Sequence, residues 1–545
     1  MGKKKKTNRK VETTTFRLSP FWAYGLLLVI ICFFGLIRAR LLNFPLERDE
    51  GEYAYAGQLI LHAVAPYQLC YSMKLPGTAA AYALILALFG ESPTGVHLGL
   101  LIVNSATIVL VYFLAQQLFG KVAGIVAAAS YALLSLEPSV LGFAGHATQF
   151  VVLPAMGGIL VLLKALRSNR LPLFFASGML LGLAFLMKQP GIFFVLFGLV
   201  YLLQRQWKHT VDRRRLILQV VAFLLGALFP FGLTCLLLLG AGVFQKFWFW
   251  TFLYASEYGT IVRFSEGLRI LWDNGLSVIG PASFLWIIAA AGLITLFWDR
   301  RARVHAVFVT SFLVFSFAAV CPGLYFRQHY FVLLLPATSL LCGIAVGRAT
   351  DALAESRASR MWVPAPALAF LVALMAAIIG QAEFFFEADP VLACRAIYAG
   401  NPFTEALKIA DFLKAHSTQD EKIAVIGSEP EIYFYSGRQS ATGYIYMYPL
   451  MEPQPFAITM QKEMISEIEQ ARPELVVLVD SPLSWLRKPD SDTTILEWTE
   501  KVVRRQYRLV GIADMFEEKT EYHWDDAATY RPRSPLRIFV FKKTA

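Results

Sequence analysis

The chain has 545 residues, of which 57% are hydrophobic and only 16% are charged. Since a typical soluble chain is about one quarter charged, this composition excludes an ordinary soluble protein and predicts a polytopic membrane protein. The net charge of +11 is uneven, because the tail from Glu383 onward is acidic and the part before it is strongly basic. This asymmetry argues against nucleic acid as a partner and indicates basic cytoplasmic loops beside a bilayer.

Apolar runs recur up to residue 381 and predict about eleven membrane spans. The runs are 21–37, 96–118, 122–143, 147–166, 172–187, 190–203, 216–240, 277–298, 305–320, 330–347 and 361–381. Arg38 and Arg40 follow the first run, which indicates a retained span rather than a cleaved signal. A further run at 78–90 is too short to cross a bilayer, so we expect a helix lying on the outer surface.

The positions of the Lys and Arg residues set the predicted orientation. With about eleven spans and the N-terminus inside, each of the following basic groups falls on the cytoplasmic side: Lys3–Lys10, Lys121, Lys164/Arg167/Arg170, Arg205/Lys208/Arg213–Arg215, Arg300/Arg301/Arg303 and Arg348/Arg357/Arg360. An odd number of spans then places the C-terminal tail outside. The sequence therefore predicts an N-in, C-out protein with a membrane domain over 1–381 and an outer domain over 382–545.

The tail has the composition of a soluble domain. The patterns at 423–427 and 475–479 indicate buried strands, and 403–416 and 457–471 have helical patterns. This alternation predicts a small α/β domain. The six cysteines have no metal-ligand spacing and several lie in apolar runs, so no disulfide framework is expected; pairing among three of them stays open, namely Cys70, Cys321 and Cys394.

The first outward loop, 39–95, carries a dense group of carboxylates: Glu47, Asp49, Glu50 and Glu52. Beside a bilayer such groups should have raised pKa values, which suits a general base. The same residues also fit a solvated loop that begins a helix, with Asp49 as its N-cap. Composition alone leaves both interpretations open.

Several cations and histidines share the predicted outward face with these carboxylates: Lys74, His146, Lys188, Arg263, Arg327 and His329. At the level of the headgroups, Lys74 either binds a lipid phosphate or merely extends to the interface. Each of the others alone is more typical of interfacial anchoring than of catalysis. Together with the carboxylates they predict a site for an anionic lipid.

At these residues the sequence resembles the membrane glycosyltransferases of the GT-C fold, in particular the lipid A aminoarabinose transferases and the bacterial relatives of protein O-mannosyltransferases. The resemblance rests on five segments, of which the first, acidic one is the most specific: Arg48–Ala54, Ala87–Ser92, Leu118–Lys121, Arg327–Phe331 with Pro336, and Ile426–Pro430. It implies transfer of a sugar from a polyprenyl-phosphate donor to a glycan, lipid or protein acceptor, with inversion at the anomeric carbon.

The resemblance also implies roles for individual residues. Asp49 is expected to be the catalytic base, with Glu50 as its neighbouring alternate. The family's Lys-Pro-Pro-Leu segment is Lys74-Leu75-Pro76-Gly77 here, so the lysine matches and the first proline is lost. The expected donor-phosphate ligands are Lys74, Lys188 and Arg327, and the expected substrate-binding residues are Arg48, Tyr53, His146, Arg263 and His329.

The implied enzyme needs no cofactor and no divalent metal for its chemistry, and it works in a bacterial inner membrane with its site on the periplasmic side. The competing interpretation is a polytopic transporter or flippase of a lipid-linked substrate. Transporters tend to place ionisable residues within spans and to carry internal repeats. Here Glu137 is the one acidic residue inside an apolar run, and no repeat is visible in the sequence.

Overall fold

Apolar helices form most of the chain up to residue 381 in this computed structural model, which describes residues 18–207, 212–356 and 361–544. Within those ranges, five helices are long and apolar enough to cross a membrane: Pro20–Arg40, Pro93–Phe119, Ala147–Ser168, Arg213–Gly240 and Phe264–Trp298, the last made of Phe264–Ile279 and Ser283–Trp298 joined by a 3-10 turn. Shorter or less apolar helices accompany them: Gly77–Phe89, Lys121–Leu134, Leu171–Met187, Ile192–Trp207, Ala306–Ala318, Leu335–Glu355 and Ala365–Ile379.

These helices confirm a multi-pass helical architecture, whereas the count of eleven spans and the N-in, C-out orientation stay predictions. The predicted run 122–143 is wrong in length, because the helix ends at Leu134 and Pro138 opens a separate 3-10 turn. Some of the basic groups used for the orientation lie outside the described residues: Lys3–Lys10, Lys208, Arg357 and Arg360.

The helix Arg48–Leu61, which we call the carboxylate helix, lies in the loop that follows the first membrane helix, Pro20–Arg40. Its N-cap is Glu47, whose side chain accepts from the Glu50 backbone N–H while Glu50 reaches back to the Glu47 backbone. This reciprocal capping box starts the helix earlier than the sequence pattern indicated, so Asp49 lies inside its first turn and is not the N-cap. The carboxylate helix packs against Gly77–Phe89 with a close approach at Gly57.

The tail folds around one mixed sheet of five strands in the order β1-β2-β5-β3-β4: Ile423–Ile426, Leu475–Asp480, Tyr507–Met515, Thr520–His523 and Leu536–Lys543 for β1 to β5. Strands β1 and β2 are parallel and the other pairs are antiparallel. The longer helices of the tail are Pro390–Ile397, Phe403–His416 and Ala457–Ala471. The predicted α/β character of the tail is therefore confirmed, and the C-terminal strands β3 to β5 extend it.

The tail and the loop after the first membrane helix share a hydrophobic core. Tyr55 of the carboxylate helix stacks on Tyr433 with ring centroids 5.1 Å apart, and its hydroxyl accepts from the Ser440 backbone N–H at 2.8 Å. At Gly51 the helix touches the backbone of Glu431, where a Cβ would lie 2.7 Å from the amide nitrogen. The tail thus packs closely over the carboxylate helix.

Candidate active site

A cavity of about 610 Å³ lies between the carboxylate helix, the connections of the membrane helices and the tail. Its charged and polar lining combines carboxylates, cations, imidazoles and tyrosines: Glu47, Arg48, Asp49, Glu52, Lys74, His146, Lys188, Arg327, His329, Tyr446, Tyr448 and Glu452. Most of the site residues predicted from the sequence therefore meet in one place, although they come from segments far apart in the chain.

Asp49 and Glu52 face the cavity together, because residues three apart share one side of a helix. The Lys74 ammonium lies 2.8 Å from Asp49 Oδ1 and 2.6 Å from Glu52 Oε2, so both carboxylates hold it. Asp49 Oδ1 also accepts a hydrogen bond from the Tyr446 hydroxyl of the tail at 3.0 Å. One oxygen of Asp49 is therefore fixed by two partners, while Oδ2 faces the two histidines.

The electrostatic setting of the carboxylates differs from the expectation of uniformly raised pKa values. Burial favours the neutral form of Asp49, but Lys74 and His146 outweigh it and hold the pKa of Asp49 well below its ordinary value. The expectation is wrong for Asp49 because it left out Lys74. At Glu47 burial dominates over the attraction of His146 and raises the pKa to about 7, as expected.

His146 and His329 stack face to face beside Asp49, with ring centroids 4.0 Å apart and an interplanar angle of 5°. His146 Nδ1 lies 3.6 Å from Asp49 Oδ2, and His329 Nε2 lies 4.0 Å from the same oxygen. Both rings are buried, and among the described residues neither nitrogen of His146 has a partner within hydrogen-bond distance. The stacked pair thus presents ring nitrogens to the carboxylate without bonding to it.

Lys188 and Arg327 are the cavity cations that aromatic groups contact without a carboxylate partner among the described residues. Lys188 Nζ lies 4.0 Å above the ring centroid of Tyr330, and Arg327 lies over the Tyr325 ring and donates to the Tyr258 hydroxyl at 3.2 Å. Across the described ranges, neither cation has a carboxylate within salt-bridge distance. Burial, reinforced by the nearby positive charges of Lys74 and Arg327, lowers the pKa of Lys188 to about 7 against the attraction of Asp49.

Arg48 joins the carboxylate helix to the tail. Its guanidinium donates to the Ser428 carbonyl at 2.5 Å and pairs with Glu429 at 3.1 Å. The rings of Phe403 and Tyr448 lie on it, with centroids 5.3 and 5.2 Å from the guanidinium carbon. Two of the segments that carry the sequence resemblance, Arg48–Ala54 and Ile426–Pro430, therefore bind each other across the domain boundary.

Three predicted site residues lie elsewhere. Glu50 is fully buried outside the cavity, where it accepts from the Gly145 backbone N–H at 2.6 Å and lies 3.1 Å from His97 Nε2. Tyr53 faces Lys74 but lines a small neighbouring cavity of about 30 Å³. Arg263 is exposed at the start of Phe264–Ile279 and does not line the main cavity. The geometry thus does not support Glu50 as an alternate base or Arg263 as a substrate ligand.

Sequence reasoning named Glu52 among the carboxylates without giving it a role of its own, and it missed the residues that the tail contributes. The spacing of Asp49 and Glu52 on one helix face could have revealed Glu52 once the helix was placed. Tyr446, Tyr448 and Glu452 lie in and beside the one-turn helix Tyr448–Met451 of the tail and reach the cavity through tertiary packing alone. No local pattern identifies such residues.

A bundle of apolar helices, an acidic helix in the loop after the first of them and an α/β tail around one polar cavity together define a membrane protein of the GT-C fold. Residues 74–233 match the family described as dolichyl-phosphate-mannose-protein mannosyltransferase. No curated protein matches the chain in sequence.

Two solved structures resemble the chain over nearly its whole length. ArnT from Cupriavidus metallidurans, bound to undecaprenyl phosphate, superposes with a TM-score of 0.61 at 15% identity and covers 97% of this chain and 99% of its own. The archaeal oligosaccharyltransferase AglB from Archaeoglobus fulgidus, in complex with an inhibitory peptide and a dolichol-phosphate, gives a TM-score of 0.50 at 14% identity, covering 93% and 74% respectively. The predicted resemblance to GT-C glycosyltransferases is confirmed.

Proposed function

We propose that this chain transfers a sugar from a polyprenyl-phosphate donor to an acceptor on the outer side of a bacterial plasma membrane, with inversion at the anomeric carbon. The matched mannosyltransferase segment supports the reaction class, and the lipid phosphates named for the two similar structures support the donor class. The single observation that carries the proposal is the cavity itself, where an ionised carboxylate shares one space with two cations that have no carboxylate partner.

Asp49 is the base in this proposal. An acceptor hydroxyl attacks the anomeric carbon, the bond from that carbon to the phosphate oxygen breaks, and the polyprenyl phosphate leaves with the electron pair. The hydroxyl proton passes to Asp49 Oδ2, the oxygen that Lys74 and Tyr446 leave free. A low pKa keeps Asp49 ionised at neutral pH, and its two partners hold the carboxylate in one orientation.

Arg327 and Lys188 are the proposed ligands of the donor phosphate. A cation held by aromatic rings can accept an anion without first breaking an ion pair, so its attraction is available to the charge that builds up on the leaving phosphate. Lys74 is less suited to this task, because Asp49 and Glu52 already hold its ammonium. We therefore assign Lys74 to the positioning of the base, in place of the phosphate contact implied by the family motif.

The acceptor enters between the carboxylate helix and the tail in this proposal. Tyr446, Tyr448 and Glu452 line that side of the cavity and offer hydroxyl and carboxyl groups to a polar acceptor. A glycan, a lipid headgroup or a protein hydroxyl all meet this description. The transporter alternative gains no support from Glu137, which lies outside the cavity and accepts hydrogen bonds from Ser139 and Gln381.

A transfer assay tests the proposal. Purified protein in lipid is given radiolabelled polyprenyl-phosphate sugars and an envelope extract as the acceptor source. We expect labelled product with the wild type and a loss of about 10²–10⁴-fold with Asp49→Asn, because general bases contribute about that much. Asp273→Asn is the matched control, since Asp273 is exposed on Phe264–Ile279 and lies outside the cavity.

Two results would contradict the proposal. Transfer by Asp49→Asn at the wild-type rate, with normal folding, removes the base assignment. Unmodified donor that crosses sealed vesicles equally with both proteins, without labelled product, identifies a transporter instead.

A further inference from the structure

Glu431 begins the short tail helix Glu431–Ser436, which packs directly on the carboxylate helix. A Cβ on Gly51 would lie only 2.8 Å from the Cβ of Glu431, so the two backbones approach too closely for a side chain to fit between them. The contact continues where Tyr55 stacks on Tyr433. Glu431 therefore lies within the junction between the tail and the carboxylate helix.

The side chain of Glu431 is fully buried, yet neither of its carboxyl oxygens has a hydrogen-bond partner among the described residues. Buried polar groups are almost always paired, and a buried carboxylate without a partner is especially costly because it has lost its hydration. A neutral carboxyl group has a far smaller desolvation cost. The packing of the junction therefore favours the protonated form of Glu431.

The charged groups around Glu431 reinforce this preference. Arg48 attracts it, but Glu429 already pairs with the Arg48 guanidinium at 3.1 Å. Glu47, the N-cap of the carboxylate helix, adds a further carboxyl group. Burial, followed by the negative charge of Glu429, therefore raises the pKa of Glu431 well above its ordinary value. Two further titratable groups face it, and burial keeps both neutral by raising their pKa values: Tyr435 of its own helix and Cys394 of Pro390–Ile397.

We propose that Glu431 makes the junction sensitive to pH, because its protonated carboxyl group packs between the tail and the carboxylate helix and its ionisation favours release of the tail. In the released state a glutamate has an ordinary pKa of about 4.3. From that value up to the pKa in the packed state, each pH unit favours release by about tenfold. Since the tail also brings Tyr446 to Asp49, release separates Asp49 from one of its partners. The inference stands without the proposed function.

Hydrogen exchange tests the junction in the purified full-length protein in lipid, with no donor or acceptor present. Mass spectrometry follows segments 46–58 and 428–436 from about pH 5.5 to about pH 8.5, and correction for intrinsic rates yields the opening equilibrium. We expect opening to increase about tenfold more per pH unit in the wild type than in Glu431→Gln, which keeps the shape of the side chain and cannot ionise. Glu518→Gln, in the exposed turn between β3 and β4, is the matched control and should keep the wild-type slope.

Equal slopes in the wild type and Glu431→Gln would overturn the inference, as would a wild type whose opening does not change over this range. Should Glu431→Gln fail to fold, the wild type decides: an increase confined to the two junction segments supports the inference, and an equal increase in β2 and β5 overturns it. Because no substrate is present, a chain that transfers no sugar can still pass this test. A chain that transfers sugar can likewise fail it.

Discussion

The four cations that line the cavity fall into two pairs, which differ in whether a carboxylate neutralises their charge. On the side of the carboxylate helix, Arg48 is paired with Glu429, and Lys74 is shared by Asp49 and Glu52. The other two, Lys188 and Arg327, lie against aromatic rings, and in the described part of the chain neither has a carboxylate within salt-bridge distance. We call the first two the paired cations and the second two the ring-held cations.

This difference indicates that the paired cations stabilise the structure, whereas the ring-held cations bind substrate. A buried ion pair offsets its own desolvation cost and leaves little attraction for a third charge, so the paired cations fix the geometry of the helix and the base. The ring-held cations carry charge that the protein does not neutralise with a carboxylate. Their attraction is available to an anionic substrate, which is the property expected of a phosphate site.

The largest effect should come from breaking a paired cation. Arg48→Met leaves Glu429 buried without its partner, and the loss of one member of a buried pair costs about 3–5 kcal/mol. We expect a marked fall in the apparent Tm of the purified protein. Adding Glu429→Gln should restore part of it, because the uncompensated charge is then removed. Arg269→Met, at an exposed position, serves as the control, and equal Tm values for the two Met variants would refute the scaffold role.

Removing a ring-held cation should instead weaken donor binding. Arg327→Gln deletes one charge-assisted contact to phosphate, worth about 1.5–3 kcal/mol, so we expect the KM for donor to rise by about 10–100-fold with little change in Tm. Arg269→Gln is the control for the loss of a charge. A donor KM within twofold of the wild type would place the phosphate elsewhere.

Lys74→Met tests most directly whether a paired cation orients the base or binds the donor phosphate. Since Lys74 orients Asp49 and is not assigned to the phosphate, we expect kcat to fall by about tenfold while the donor KM changes by less than about threefold. The opposite pattern, with an intact kcat and a raised donor KM, would return Lys74 to the phosphate-binding role implied by the family motif.

The smallest effect concerns pH. In the free protein the pKa of Lys188 is about 7, so it is charged below that pH and neutral above it. A phosphodiester favours the charged form, so donor affinity should fall by a few-fold as pH rises from about 6 to about 8. Lys188→Arg stays charged and should flatten this slope. Glu47, whose pKa is also about 7, and His146, whose pKa is raised by Glu47 and Asp49 against the effect of burial, act in the same direction, and the slope left in the variant measures their joint share.

Local patterns predicted the elements of the fold but not the partners within the site. The helix Phe403–His416 and strands β1 and β2 follow from short apolar periodicities, whereas β5 was missed because its place between β2 and β3 depends on long-range pairing. Asp49 could be singled out by its motif. The contact of Asp49 with Lys74 joins residues 25 positions apart, and that with Tyr446 joins residues 397 apart, which no spacing rule encodes.

The hydrogen bond from Tyr446 to Asp49 has a consequence for the timing of activity. A carboxylate synthesised near the start of the chain receives its last partner 397 residues later, from a domain made after the membrane helices. At about 5–20 residues per second, synthesis of that stretch takes at least about twenty seconds, during which the site is incomplete. The nascent protein can therefore insert its helices before it has an assembled site, and assembly of the site waits for the folding of the tail.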